Sequence, residues 1–133
     1  MIHEIHLQSK HRDEMIDITA QVEKLLAQES VQEGLLVVYS SHTTAGIMIN
    51  ENADPAVQLD ILQRLGEIAP HDRAADRHRE GNSAAHLKAS MAGTSQTVII
   101  HNGNLLLGRW QGIYFCEFDG PRSRICYVKI LTF

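Results

Sequence analysis

The sequence predicts an α+β domain, a mixed, mostly antiparallel sheet packed with two to three helices, in one unit spanning residues 1–133. Three observations predict it. Asp54–Pro55 opens a stretch of helical periodicity, Leu35–Tyr39 is an apolar run of strand length, and Asn102–Gly103 separates two further apolar runs. Helices and strands that alternate without a repeating βαβ pattern give a mixed architecture.

Taken in order, Ile2–Gln8 and Glu14–Ile18 read as short strands. Thr19 is a fair N-cap for a helix carrying Val22, Leu25 and Leu26 on one face, ending before Gly34. Leu35–Ser40 is near-continuously apolar, as in a strand buried on both faces. Asp54 can accept the free amides of a new helix, and Pro55 suits its first position because its missing N–H costs nothing there. Val57, Ile61, Leu62, Leu65 and Ile68 then recur at helical spacing. The segment 70–81, rich in charge and histidine, reads as a loop. Ser83 can cap a short helix through Met91 that Gly93 terminates. Asn-Gly accepts the positive φ of a type I′ turn, so Val98–His101 and Leu105–Leu107 should form a hairpin. Ile113–Phe118 and Ile125–Leu131 should form a second one around Asp119–Pro121.

Composition narrows the function classes. Lys and Arg total 12 against 16 Asp and Glu, a formal net charge of -4, which argues against nonspecific nucleic-acid binding. The longest apolar run is far short of the roughly 20 residues of a membrane span. Met1–Asp13 has no apolar signal region, and the expected compartment is the cytoplasm. The two cysteines, Cys116 and Cys126, are expected to be reduced packing residues.

Three segments are polar where a scaffold has no need of it. Ser40-Ser41-His42-Thr43-Thr44-Ala45-Gly46, followed by Asn50-Glu51-Asn52-Ala53-Asp54, offers hydroxyls and an imidazole at a strand end, able to bind an oxyanion or a metal; a hydroxyl-rich turn with a helix cap is the plainer alternative. His78-Arg79-Glu80-Gly81-Asn82-Ser83-Ala84-Ala85-His86-Leu87-Lys88 sets His86 in a first helical turn, where the dipole favours the neutral, metal-ligating imidazole. His78 can share its site only if the loop folds back. Gly108-Arg109-Trp110-Gln111-Gly112 and Glu117-Phe118-Asp119-Gly120-Pro121-Arg122-Ser123-Arg124 supply an aromatic face. Their arginines, Arg109, Arg122 and Arg124, suit bidentate phosphate binding. An exposed edge guarded by charge is the alternative.

Together these strings resemble the secondary thiamine-phosphate synthase family, over essentially the whole chain. The resemblance implies a mixed sheet packed with helices, assembled as a homotrimer with polar sites near the subunit contacts. It points to His42, Thr43, Thr44, Asn50, Glu51, Asp54, His86, Lys88, Trp110, Gln111, Glu117, Asp119 and Arg122. Ser41 stands where many members have proline. The implied reaction joins an aminopyrimidine pyrophosphate to a thiazole phosphate.

On that reading Glu51, Asp54, Lys88, Glu117 and Asp119 are the expected catalytic residues. Thr43, Thr44, Asn50, Arg109, Trp110, Gln111 and Arg122 bind the substrate, with Trp110 stacking on the pyrimidine. His42 and His86, with His78 as a possible third ligand, would hold a divalent metal ion, Mg or Zn. The expected partners are a small phosphorylated metabolite and two further copies of the chain, with no nucleic acid and no membrane. Two other classes stay open on the same inventory: a metal-dependent phosphoester hydrolase, and a non-enzymatic trimeric binder of a phosphorylated metabolite. At 133 residues the chain is too short for a TIM barrel of about 250 residues.

Overall fold

The computed structural model describes all residues, Met1–Phe133. In chain order the elements are β1 (Ile2–Gln8), β2 (Glu14–Asp17), α1 (Thr19–Glu29), β3 (Gly34–Ser40), β4 (Ala45–Glu51), α2 (Pro55–Ile68), α3 (Ser83–Ala92), β5 (Ser95–His101), β6 (Asn104–Leu105), β7 (Gln111–Glu117) and β8 (Ser123–Thr132). The strands form two sheets in which every pairing is antiparallel. One has five strands in the order β1-β8-β3-β5-β6, the other three in the order β2-β7-β4.

The alternation of side chains along each strand decides what faces what. Leu36, Val38, Val98, Ile100, Cys126 and Val128 of the larger sheet meet Ala45, Ile47, Ile113 and Phe115 of the smaller one, and Ile18, Val22 and Leu26 close the same core. The far face of the small sheet forms a second core, where Tyr114, Cys116 and Phe118 pack with Ala85 and Ala89 of α3, and Leu62 and Leu65 of α2 adjoin them. The far face of the large sheet has no covering layer in this chain, and leaves Tyr39, Ile99 and Leu131 exposed. No helix is long and apolar enough to cross a membrane.

Several expectations hold. Asp54 Oδ1 accepts the Ala56 N–H at 2.9 Å with Pro55 opening α2. Asn102 and Gly103 both take positive φ between β5 and β6. Both cysteines are free and buried, and burial pushes each thiol up to about 12.

Others are corrected. β7 and β8 do not pair with each other: β7 lies between β2 and β4, while β8 lies between β1 and β3, so the Asp119–Pro121 turn carries the chain from one sheet to the other. β3 is buried on one face only. Thr19 lies inside α1 rather than before it, and its Oγ1 accepts the Ile113 N–H at 2.8 Å. The residue preceding α3 is Asn82, not Ser83. The sheets are entirely antiparallel rather than mixed.

Candidate functional site

The sheet-to-sheet crossing after β7 brings three distant segments to one end of the molecule. The β3–β4 turn supplies Ser41, His42, Thr43 and Thr44. The loop before α3 supplies His78, Glu80 and Asn82, and α3 itself supplies His86. The crossing and the start of β8 supply Asp119, Arg122 and Arg124. They line an open cleft of about 400 Å³ that contains no hydrophobic residue.

Its rear wall is a buried ion pair. Glu117 and Arg124 are almost completely enclosed. Arg124 Nε donates to Glu117 Oε1 at 2.8 Å, and Arg124 Nη2 donates to Oε2. Ser9 Oγ donates to Oε1 at 2.7 Å and the Asp119 N–H to Oε2 at 3.0 Å. Arg124 Nη2 also donates to Thr44 Oγ1 at 2.8 Å. Burial alone would raise the Glu117 carboxyl, but hydrogen bonds from Arg124, Ser9 and Asp119 outweigh it and hold the group below the usual carboxylate range. With its oxygens so occupied, Glu117 braces the cleft from behind.

Nearer the opening, Arg122 donates from Nη2 to Asp119 Oδ2 and from Nε to the Asp119 carbonyl, both at 2.8 Å, with about half of its side chain exposed. Burial would raise the Asp119 carboxyl; the bonds from Asn82 and Arg122, and the charges of Arg122 and Arg124, lower it instead. His42 Nε2 accepts the Ile125 N–H at 3.1 Å. That occupies the lone pair a metal would need and places the ring proton on Nδ1. Burial, and then the nearby Arg124 charge, lowers the imidazole from 6.5, favouring this neutral form. His42 is therefore set as a hydrogen-bond donor in this arrangement.

His78 and His86 do converge, their ring centroids 5.3 Å apart and edge to face. No group of three or more His, Cys, Asp or Glu side chains is arranged to hold a metal ion. The cleft also contains a cost. Asn82 Nδ2 donates to Asp119 Oδ2 at 2.9 Å, while Asn82 Oδ1 is buried with no partner, a state that costs about 1–3 kcal/mol.

The remaining expected residues lie elsewhere. Ala45 pairs with Glu117 at the cleft end of the β4–β7 ladder, and Glu51 pairs with Gln111 at the other end. Six residue steps at about 3.3 Å each separate those ends by roughly 20 Å. Asn50, Glu51, Asp54, Arg109, Trp110 and Gln111 thus form a second group. There Asn50 Oδ1 accepts the Glu51 N–H, Gln111 Oε1 accepts the Gly108 N–H, and Arg109 stacks 5.0 Å from the Trp110 ring centroid. Lys88 is in neither group: it is buried, with Nζ 2.5 Å from Asp13 Oδ2. Glu80 and Asn82 are cleft residues to which the sequence reading gave no role, Asn82 because its neighbour Ser83 looked like the better helix cap.

Residues 3–132 match the family described as UPF0047 protein YjbQ-like. The chain belongs to the UPF0047 family. It is 54% identical over 131 residues to UPF0047 protein YugU of Bacillus subtilis, covering 98% of this chain and 99% of that one. A UPF0047 protein of Methanocaldococcus jannaschii is 48% identical, with 98% and 94% covered. Among solved structures, an uncharacterised YjbQ/UPF0047 protein from Clostridium acetobutylicum superposes with a TM-score of 0.95 at 53% identity, covering 97% of this chain and 99% of that one. A YbjQ-like protein of unknown function from Sulfolobus solfataricus gives 0.95 at 31% identity, with 100% and 97% covered. These matches replace the assignment to the secondary thiamine-phosphate synthase family. The motif strings that suggested it all lie within the residues 3–132 that match UPF0047, and none of these UPF0047 relatives is described as a thiamine-phosphate synthase or a transferase. The synthase reaction falls with that assignment.

Proposed function

We propose that the cleft recognises a small, oxygen-rich anion, phosphate or carboxylate, together with a divalent cation drawn in by His78 and His86. The observation that carries this reading is the absence of any apolar residue from the lining of a cleft where donors and imidazoles converge. Small-molecule pockets are ordinarily mostly apolar with a few polar groups; this one suits a ligand that is polar on every side. The His42 Nδ1–H, the Thr43 hydroxyl and the guanidinium N–H groups of Arg122 not taken up by Asp119 are donors for an oxyanion. Imidazole nitrogens favour Zn²⁺ over Mg²⁺. Two imidazoles alone make an incomplete set, so the anion's own oxygens would complete the coordination.

Thermal unfolding with Zn²⁺ and inorganic phosphate, added singly and together, tests the reading. A ligand at a hundred times its Kd stabilises the fold by about 2.7 kcal/mol, and the pair should raise the melting temperature more than the sum of its parts. His86→Ala should remove the response to Zn²⁺, and Arg122→Ala the added response to phosphate. Equal responses in wild type and both variants, or none in wild type, reject the proposal.

A further inference from the structure

The cleft contains one polar atom that this chain leaves unsatisfied. Asn82 precedes α3, where an asparagine oxygen ordinarily accepts an N–H of the first helical turn, yet it makes no such bond. Its amide reaches across the cleft instead: Nδ2 donates to Asp119, and Oδ1 is buried without a donor. Turning the amide over gives no relief, since it would set a carbonyl oxygen against the Asp119 carboxylate. The residue is only 7% exposed and lines the cleft. His86 follows four residues later, on the same face of the helix start, and the His78 ring lies against the His86 ring. An orphaned carbonyl oxygen in the same cleft as two adjoining imidazoles has the donor chemistry of a cation site.

We propose that Asn82 Oδ1 is the oxygen ligand that joins His78 and His86 on a divalent cation. The inference rests on the reading of the cleft as a cation-and-oxyanion site and adds the third protein ligand that site lacks. An amide oxygen carries no charge, so a cation on two imidazoles and one amide keeps its full double charge to attract an oxyanion. Three protein ligands leave a fourth tetrahedral position open for an oxygen of the bound anion. The mixed nitrogen and oxygen set suits Zn²⁺ or Co²⁺ rather than Mg²⁺.

The experiment is a Co²⁺ titration of the metal-free full-length protein, followed by the visible absorption of the bound ion, with circular dichroism to confirm folding. Wild type should bind one high-affinity Co²⁺ that His86→Ala abolishes. Asn82→Ala should weaken binding at least about tenfold, the lower end of what even an outer-shell partner costs. Asn82→Ser keeps a residue that caps helices as well as asparagine does but removes the amide oxygen, so it should weaken Co²⁺ binding by a similar factor. This second variant carries the test if Asn82→Ala does not fold, because a plain helix-capping role, which serine also fills, predicts no loss of Co²⁺ affinity. Loss of Co²⁺ in His86→Ala with unchanged affinity in both Asn82 variants overturns the Asn82 assignment and leaves the cation reading standing. No Co²⁺ uptake by wild type overturns both.

Discussion

Glu117 shows how one residue ties this end of the molecule together. Its carboxylate takes bonds from Arg124 of β8, Ser9 after β1 and the Asp119 amide, so a single side chain connects both sheets. Removing one member of a buried ion pair leaves the other charged and unpaired, at a cost of about 3–5 kcal/mol. Glu117→Gln should cost that much, read as a lower urea midpoint with an unchanged slope. The sign of the pH effect follows from the depressed Glu117 and Asp119 carboxyls. Their stabilisation is complete above the ordinary carboxylate pKa values and is lost as pH falls through the lower folded ones. Glu117→Gln should therefore flatten the acid side of the stability profile. None of this clamp was legible in the sequence. Glu117 and Arg124 read either as site residues or as charges guarding an exposed edge, because their partner Ser9 is 108 positions from Glu117, and only the crossing between sheets buries them.

The elements were more legible than their partners. Asp54–Pro55, Gly93 and Asn102–Gly103 mark their boundaries through local backbone chemistry, which sequence carries. β4 went unassigned because it is buried by the core on one side and α3 on the other, which erases the alternation that marks a half-buried strand. The β7–β8 error has the same root: Asp-Gly-Pro marks a turn but not which strands the turn joins. Gly46 shows how closely β4 and α3 approach. A Cβ there would lie 2.8 Å from Ala92 Cβ and 2.8 Å from the Gly93 carbonyl oxygen, so Gly46→Ala should cost about 1–3 kcal/mol by overpacking. Gly66, inside α2, is the contrasting case, because a Cβ added there would meet nothing within 4 Å. Gly66→Ala should stabilise by about 0.5–1 kcal/mol. Chemical denaturation of the two variants should move the midpoint in opposite directions.

At the scale of the whole molecule, the polar residues singled out in the sequence, Lys88 apart, divide into two groups at opposite ends of the β4–β7 ladder. His42, Thr43, Thr44, His78, His86, Asp119 and Arg122 do meet in one cleft. The others were grouped with them because sequence gives order along the chain and not which end of a strand a loop occupies. The uncovered face of the five-stranded sheet concerns the molecule as a unit. Leu35 pairs with Leu131 on one side and Ile99 on the other, and Tyr39 pairs with Tyr127, with Val37 between them along β3 flanked by Lys129 and Thr97; this leaves an apolar line down β3 on a sheet face of the kind that is ordinarily covered. We propose that copies of the same chain cover it in a homotrimer. Light scattering at micromolar concentration should return three times the chain mass, and Ile99→Lys should lower it; a monomer mass for wild type rejects the trimer.

The bond between the Ile125 amide and the His42 ring has a consequence of its own. Most protected amide protons in a sheet are held by a carbonyl, whose grip does not vary with acidity near neutrality. This one is held by an imidazole, and an imidazole that takes up a proton on Nε2 can no longer accept it. The exchange rate of a single backbone proton in β8 thus becomes a gauge of the charge on a side chain in the β3–β4 turn. Its protection should fade as the ring becomes charged, so the cleft carries its own spectroscopic reporter, with no label attached.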